Sequence, residues 1–322
     1  MSTVPPRAPD ASSPPNSGDR APSALTARPA DGPAVRRSRR RRLRWCIRLG
    51  VVGLAAGYVT LVGFDSFFYY PDNVTYTTPA ELRLAAEDVT FATSDGETLH
   101  GWFLPAEGAP RGVVVHFHGN AANISNHVPL VSWLPQRGYH VLMFDYRGFG
   151  RSTGRPTRAG TIRDGHAALD YVRTRADCRA LPLFVYGQSL GGAVGVVVAA
   201  DRPEVRGVIA ESTFGRYRGI AAAHLQRRVL WRPLANLLAA AAISAGDDPI
   251  EAVGRIAPRP LLVITGERDE ICFPALGAEL HAAAGEPKTL WQVPGGEHLA
   301  LLEADYVGLT DRITAFLNDA GR

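Results

Sequence analysis

The sequence of 322 residues has only three cysteines, at positions 46, 178 and 272. Three cysteines are too few for a disulfide framework, and their spacing matches no zinc-binding motif. Cys178 precedes one predicted strand and Cys272 follows another. Opposite ends of parallel strands lie farther apart than the roughly 7 Å that a disulfide spans, so we expect no bridge between them. Cysteine usage therefore leaves the redox compartment open.

The larger part of the chain also lacks an excess of basic charge. The formal net charge is +4, but residues 1–48 contain eleven arginines and three aspartates, which leaves −4 for the rest. The sequence pI of about 9.1 therefore reflects the N-terminal segment. Because nucleic-acid binding needs a basic surface, this distribution indicates no nucleic-acid partner for the body of the protein.

The N-terminal region combines a polar tail with one apolar stretch. Residues 1–44 are rich in proline, alanine, serine and arginine, a composition that predicts a disordered basic tail. Leu49–Phe64 is sixteen residues without a charge. As a helix of ~1.5 Å rise per residue it would be about 24 Å long, and its aromatic flanks extend it to the width of a bilayer. We interpret residues 45–70 as a single transmembrane anchor.

The arginines before the apolar stretch predict its orientation. Under the positive-inside rule the N-terminus is cytoplasmic, and the domain that follows the anchor is extracytoplasmic. Two alternatives remain open. One is a cleaved signal peptide, which the lack of an Ala-x-Ala-like site disfavours. The other is a buried core helix.

From residue 80 onward, apolar β-type runs alternate with helical segments. Strands separated by helices of ten or more residues predict a mostly parallel, doubly wound sheet of the α/β class, and we assign residues 80–322 to one domain. The predicted helices include one that ends near Arg137 and one over about 157–175. The predicted strands cover 99–104, 112–117, 139–146, 207–211, 261–266 and 290–293, with a further strand from Leu183.

The segment around Ser189 has the pattern of a nucleophile elbow. An apolar run enters Gly-Gln-Ser-Leu-Gly at 187–191, and a run of small apolar residues leaves it. This order of strand, sharp turn and helix projects a serine hydroxyl from the top of a sheet. The flanking glycines allow the strand and the helix to pack closely. A glycine-rich turn with an unreactive serine has the same pattern, so its partners decide between the two.

A serine becomes a nucleophile when a base takes its proton and a carboxylate orients that base. In chains with a nucleophile elbow the acid precedes the histidine, and each follows a later strand. Asp269 follows the predicted strand at 261–266, and His298 follows the one at 290–293. Ser189, Asp269 and His298 are the predicted catalytic triad. The acids that could replace Asp269 are Glu211, Glu267 and Glu270.

The oxyanion of an acyl-transfer reaction needs two hydrogen-bond donors. We expect one from the backbone N–H of Leu190, which follows the nucleophile. The other is expected from the backbone N–H of Asn120, in the loop after an early strand, where Gly119 gives the backbone freedom to approach Ser189.

Two other patterns bear on metals and cofactors. His116 and His118 share a strand face, but no third ligand has useful spacing, so strand and loop packing is favoured over a metal site. Gly148-Phe149-Gly150 and Gly154 come close to a dinucleotide fingerprint, but the third glycine is one residue late. We interpret these glycines as a tight turn under the site and expect neither metal nor cofactor.

Residues 212–250 interrupt the alternation of strands and helices between two strand ends. They are unusually apolar for a connection, above all at 231–243. Either they form a buried helix pair, or they form a small cap over the site with an acyl pocket beneath it, close to a membrane.

Taken together, these segments resemble the α/β-hydrolase superfamily, and more narrowly its group of membrane-anchored α/β-hydrolase-domain serine hydrolases. The resemblance runs over about 68–320 and implies an α/β-hydrolase fold with a small helical cap. It carries the triad onto Ser189, Asp269 and His298. The long N-terminal tail and the Gly-Gly-Glu before His298 depart from the pattern. The matching segments are Phe117–Ala121, Asp145–Ser152, Gly187–Gly192 and Glu211–Phe214.

The favoured function is hydrolysis of a carboxylic ester or thioester through an acyl-enzyme. The expected substrate is a small acyl ester, a thioester or a lipid, since the resembling group includes esterases, lipid hydrolases and protein depalmitoylases. Two alternatives stay open: an aminopeptidase-like serine peptidase with the same triad, and a membrane-anchored binding protein without catalysis. The sequence indicates neither the acyl length nor the oligomeric state.

Overall fold

The computed structural model describes residues 44–48, 50, 68–228 and 231–322. The predicted tail and most of the predicted anchor lie outside these ranges. The chain divides into two compact units, 1–55 and 56–322, and the second contains the sheet. Residues 44–48 are helical. Within the described ranges, no helix combines the length and hydropathy that crossing a bilayer requires.

Eight strands of the second unit form one sheet. The described strands are β1 (Tyr70–Pro71), β2 (Glu87–Ala92), β3 (Thr98–Leu104), β4 (Gly112–Phe117), β5 (Ala121–Ala122), β6 (Tyr139–Phe144), β7 (Leu183–Gln188), β8 (Val205–Glu211), β9 (Leu261–Gly266) and β10 (Lys288–Val293). The spatial order of the large sheet is β10-β9-β8-β7-β4-β6-β3-β2. Only the pairs β2–β3 and β3–β6 in it are antiparallel. The predicted mostly parallel α/β sheet is therefore confirmed.

Helices cover both faces of this sheet. They are α1 (Ile124–Val131), α2 (Arg158–Thr174), α3 (Leu190–Ala200), α4 (Tyr217–Gln226), α5 (Arg232–Ala242), α6 (Pro249–Ala252), α7 (Pro274–Ala283), α8 (Leu301–Ala304) and α9 (Tyr306–Ala320). α1 ends six residues before the predicted end near Arg137. Pro135 has no N–H to continue the α-helical pattern, so the chain makes a separate 3-10 turn that ends at Gly138, with a φ of 84°.

The central strands are buried on both faces. Every residue of β4, β6, β7 and β9 is buried. Such strands have no solvent-facing side, which explains why the sequence shows continuous apolar runs there and no alternation. α3 is buried from Leu190 to Ala199. Its glycine, alanine and valine side chains let it lie close to the sheet, which fixes the helix that follows Ser189.

The chain before the large sheet packs onto the same body. β1 pairs in parallel with β5, and the Tyr70 N–H donates to the Asn120 carbonyl oxygen at 2.8 Å. Phe68 packs edge-on against Tyr217, with ring centroids 5.2 Å apart. The folded body therefore begins by residue 68, earlier than the boundary predicted at residue 80. Tyr70, which the sequence assigned to the anchor, is part of a strand.

The predicted cap region contains α4, α5 and α6. α4 and α5 are linked by a hydrogen bond from Gln226 Nε2 to Asn236 Oδ1 at 2.9 Å. α5 buries Ala235 and Ala239, whereas Leu237 is exposed. The region is therefore a partly exposed helical insertion between two strands. This differs from the buried helix pair, which the apolar composition also allowed.

Candidate active site

Ser189 occupies the turn between β7 and α3 with a φ of 55° and a ψ of −121°. A positive φ is unfavourable for a residue with a side chain and costs about 1–3 kcal/mol. Two hydrogen bonds hold the turn: the Ser189 N–H donates to the Glu211 carbonyl at 2.9 Å, and the Thr213 hydroxyl donates to the Ser189 carbonyl at 2.7 Å. The serine is buried, with 5% of its surface exposed.

Glycines on both sides of Ser189 allow three backbone segments to meet. A Cβ at Gly187 would lie 2.3 Å from the Gly191 oxygen, and a Cβ at Gly191 would lie 2.0 Å from the Phe117 oxygen. Both obstacles are backbone atoms, which cannot move aside as a flexible side chain can. The close packing of strand, helix and loop is thus the physical reason for glycine at these positions.

The structure joins the three predicted triad residues by hydrogen bonds. His298 Nε2 lies 3.1 Å from Ser189 Oγ, and His298 Nδ1 lies 2.8 Å from Asp269 Oδ2. Asp269 Oδ1 accepts the backbone N–H groups of Ile271 and Cys272 at 2.9 and 2.8 Å. With Nδ1–H donating to the carboxylate, Nε2 is left with a lone pair that can accept a hydrogen bond from the Ser189 hydroxyl.

Two neighbouring strand ends bring the acid and the histidine together. Asp269 follows β9 and His298 follows β10, and these strands pair in parallel and in register. The loops are tied to each other, because the Arg268 N–H donates to the Gly296 oxygen at 2.8 Å. A Cβ at Gly266 would lie 2.4 Å from that same oxygen. The geometry of the sheet edge therefore sets the separation of the two side chains.

The two predicted oxyanion donors lie in segments that contact the elbow. Leu190 is the first residue of α3, directly after the serine. Asn120 follows Gly119 in the loop after β4, and a Cβ at Gly191 would lie 2.5 Å from the oxygen of His118 in that loop. The loop thus packs directly on the turn that carries Ser189, as a second oxyanion donor requires.

Glu211, one alternative acid, is engaged beneath the elbow. The Tyr186 hydroxyl donates to one of its carboxyl oxygens, and Gln188 Nε2 donates to the other at 3.0 Å. Burial raises the pKa of the Glu211 carboxyl. Because both oxygens are occupied by neutral partners, Glu211 acts in this structure as a buried polar support of β7 and β8.

The other two alternative acids are also engaged away from the imidazole. Glu267 accepts the Gly295 N–H at 2.8 Å, and Glu270 pairs with Arg227 at 3.2 Å. Of the four candidate acids, Asp269 is the one that hydrogen-bonds His298.

Cys272 is a neighbour of the nucleophile that the sequence did not indicate. Its Sγ lies 4.0 Å from Ser189 Oγ. Burial raises the pKa of the thiol, so it stays protonated and fills the space beside the serine. Its position three residues after Asp269 was the available signal. Tyr186 and Gln188 were also missed, although their spacing of two on β7 puts them on one face below Ser189.

The histidines of the β4 end are buried and neutral. His116 Nε2 donates to Gln188 Oε1 at 2.9 Å, and His118 Nδ1 donates to the Gly119 oxygen at 2.8 Å. Burial lowers the pKa of His116 to about 3 and the pKa of His127, on α1, to about 4. Across the described residues, no group of three or more His, Cys, Asp or Glu side chains is arranged to hold a metal ion.

A cavity of about 800 Å³ borders Asp269 and His298. Its lining is of mixed charge, which differs from the acyl pocket that one of the two interpretations of residues 212–250 implied. The cavity can therefore accept a polar or charged part of a substrate beside the imidazole. The other lining residues are Arg227, Arg268, Glu267, Glu270, Glu297, Ile271, Phe273 and Pro274.

Sequence comparison identifies relatives over most of the chain. A family model described as serine aminopeptidase, S33 (Hydrolase_4), matches residues 108–249, which include the elbow. The uncharacterized protein YfhR of Salmonella typhi is 40% identical over 270 residues, covering 79% of this chain and 87% of that protein. The alpha/beta hydrolase domain-containing protein WAV2 of Arabidopsis thaliana is 33% identical over 267 residues, covering 76% of this chain and 85% of that protein.

Solved structures resemble the fold. The Pyrococcus furiosus esterase Pf2001 is similar to this chain with a TM-score of 0.66 at 21% identity, over 79% of this chain and 99% of that one. A likeness at this identity concerns the architecture alone. The topology, the strained serine turn and the relatives agree, and the chain belongs to the α/β-hydrolase superfamily.

Proposed function

We propose that the protein is a serine hydrolase that cleaves a carboxylic ester or thioester through an acyl-enzyme. One observation carries the proposal: an unbroken hydrogen-bonded chain runs from Ser189 Oγ to His298 at 3.1 Å and on to Asp269 at 2.8 Å. Ser189, the first residue of this series of hydrogen bonds, lies in a turn whose positive φ of 55° is maintained by the surrounding packing. Backbone strain of this kind is concentrated at functional sites.

In the first half-reaction, Ser189 Oγ attacks the carbonyl carbon while His298 Nε2 takes the hydroxyl proton. Asp269 holds the imidazole in the tautomer with a proton on Nδ1 and stabilises the imidazolium that forms. Collapse of the tetrahedral intermediate breaks the bond to the leaving oxygen or sulfur, which receives the proton from His298. The products are a free alcohol or thiol and an acyl ester of Ser189.

In the second half-reaction, His298 takes a proton from water, and the resulting hydroxide attacks the acyl carbon. The proton returns to Ser189 as the carboxylic acid leaves, so the enzyme is restored. In both halves the oxyanion is held by the backbone N–H groups of Leu190 and Asn120. Removal of one such donor costs about 10²–10³ in rate in enzymes of this chemistry.

Covalent labelling by a fluorophosphonate probe tests the nucleophile. We expect the wild-type protein to be labelled, Ser189→Ala to remain unlabelled, and Ser132→Ala, which alters a serine at the end of α1, to be labelled like the wild type. A folded wild-type protein that resists the probe would contradict the proposal and favour a binding protein without catalysis.

A serine peptidase with the same triad is the second candidate. It is supported by the serine aminopeptidase description of the matching family model. The cavity also contains Glu267, Glu270 and Glu297, carboxylates that could receive a substrate ammonium group. A panel of acyl esters, acyl thioesters and aminoacyl amides distinguishes the two. Turnover of the amides with none of the esters or thioesters would favour the peptidase.

We also propose that the uncharged stretch Leu49–Phe64, within the predicted residues 45–70, belongs to an uncleaved single-pass anchor, with the N-terminus cytoplasmic and the catalytic domain extracytoplasmic. The run of arginines before Leu49 and the sixteen uncharged residues that follow it support this topology. Protease protection of the full chain in sealed vesicles tests it. Cleavage of the catalytic domain from the cytoplasmic side would reverse the orientation, and release of an intact body after carbonate extraction would exclude the anchor.

A further inference from the structure

The cap region has a charge unlike that of the rest of the body. Residues 212–250 contain five arginines and two aspartates, a net charge of +3, whereas residues 49–322 as a whole carry a net charge of −4. Arg227, Arg228 and Arg232 are exposed. Arg227 pairs with Glu270, but within the described part of the chain neither Arg228 nor Arg232 has an acidic partner. The cap therefore presents uncompensated positive charge.

The same region presents apolar side chains to solvent. Trp231, Leu237 and Leu238 are 64%, 66% and 44% exposed. α5 is held to the body through Ala235 and Ala239, which lie one turn apart on a buried stripe. The large apolar side chains therefore lie outside the stripe that the fold buries. We call Trp231, Leu237, Leu238, Arg228 and Arg232 the cap surface.

Arg227, which precedes Arg228 of the cap surface, lines the cavity that borders Asp269 and His298. His224, on α4, donates from Nε2 to the Ile271 oxygen at 2.9 Å. Ile271 itself is 51% exposed and lines the cavity beside Asp269 and His298. The end of α4 therefore connects the cap surface to the wall of this cavity.

The point at which the chain enters the body lies at the base of the cap. Phe68 packs against Phe214 and Tyr217, with ring centroids 6.4 and 5.2 Å away. The uncharged stretch ends at Phe64, four residues earlier. Four residues span at most about 14 Å of extended chain. If the stretch enters a bilayer, the base of the cap is held close to that bilayer.

We infer that the cap surface docks on an anionic lipid bilayer. Exposed arginines and an exposed tryptophan beside leucines match the headgroups and the acyl boundary, where interfacial helices bury apolar side chains to a depth of about 5–10 Å. A second copy of the chain fits less well, because a contact between two copies of this surface would bring the unpaired arginines of both copies into one interface. The inference does not depend on catalysis by Ser189.

Depth-dependent fluorescence quenching of the full chain tests the inference. Ala241→Cys, an exposed position on α5, is labelled with a fluorophore in a Cys46→Ser background. The matched control is Asp319→Cys on α9. Residue 319 lies near the amino-terminal end of β8, because a Cβ on Gly207 would lie 3.1 Å from Ala320. The cap, in contrast, follows the carboxyl-terminal end of that strand. Both proteins are reconstituted in phosphatidylcholine vesicles with or without phosphatidylserine, and nitroxide lipids act as quenchers.

We expect several-fold stronger quenching at residue 241 than at residue 319 in the phosphatidylserine vesicles. The difference should shrink in high salt, in pure phosphatidylcholine, and in the variant Arg228→Glu/Arg232→Glu. Equal quenching at the two positions would overturn the inference, and so would quenching at residue 241 that ignores lipid charge and salt. A label reached by neither lipid-borne nor water-soluble quenchers would also overturn it, because another protein surface would then cover the cap. None of these readouts requires turnover.

Discussion

The loop after β9 and the end of β8 each place a buried carboxyl near Ser189, but in different surroundings. Asp269 accepts two backbone N–H groups and an imidazole nitrogen. Glu211 accepts a phenol and a side-chain amide, and burial raises its pKa. The first environment suits a carboxylate that must balance an imidazolium, and the second suits a group that holds two strands together. Hydrogen-bond partners decide the role of each carboxyl, since both are close to the nucleophile.

The largest test of this contrast compares Asp269→Asn with Glu211→Gln. We expect Asp269→Asn to lower kcat by about 10⁴-fold, because the amide favours the wrong imidazole tautomer, as in other serine hydrolases with this triad. Glu211→Gln should retain kcat within about 10-fold, since its effect on Ser189 passes only through packing. Steady-state rates on an ester substrate give both values. Similar losses in the two variants would break the contrast.

The turn that carries Ser189 gives the next largest effect. Gly191→Ala places a Cβ 2.0 Å from the Phe117 oxygen and should push the Asn120 loop away from Ser189. We expect kcat to fall by about 10²-fold, the cost of one lost oxyanion donor. Gly254→Ala, whose Cβ would have no atom nearer than 3.8 Å, is the control. Unchanged kinetics in Gly191→Ala would contradict the assignment of the Asn120 loop as the source of an oxyanion donor.

The buried histidine His127 should make the stability of the protein depend on pH. Burial lowers the pKa of His127 to about 4. Between about pH 6.5 and 4 its imidazole is therefore protonated in the unfolded chain and neutral in the folded chain. Stability is therefore present above this window and is lost as the pH falls through it, by up to about 1.4 kcal/mol per pH unit. Urea unfolding at several pH values should show a shallower acid dependence for His127→Gln. Parallel curves for the two proteins would contradict this assignment.

Glu211 should have the opposite dependence and the smallest effect. Its pKa is raised by burial, so above the ordinary carboxyl range the folded state holds a proton that the unfolded state has lost. Stability from this group is present below that range and falls as the pH rises. Relative to Glu211→Gln, the wild type should lose stability in this direction. A wild type that gains stability over the variant as the pH rises would mean that Glu211 is already ionised in the fold.

Most of the sheet could be predicted from the sequence because strands that are buried on both faces consist of continuous apolar runs. The predicted strand at 207–211 starts two residues late compared with β8. The helix before Gly138 was predicted too long because a local property, the missing N–H of Pro135, overrides an apolar pattern that continues past it.

The site was predictable where chain order and strand ends determine it, as for Ser189, Asp269 and His298, which the structure brings within hydrogen-bonding distance. The engagement of Glu211 depends on which way its side chain points into the core, and no spacing along the chain records that direction. The exposure of Leu237 on α5 was hidden for the same reason, since apolar composition alone suggests burial.

The short pair β1–β5 has a mechanical consequence. The Tyr70 N–H donates a hydrogen bond to the carbonyl of Asn120. A force applied to the chain before Phe68 would therefore act on the β1–β5 pair, at the loop that carries the predicted second oxyanion donor. Tension on the proposed anchor would be transmitted to the loop beside Ser189 through a few peptide units, while the large sheet stays fixed. Force spectroscopy on an immobilised enzyme during turnover would record this as a change in rate with load.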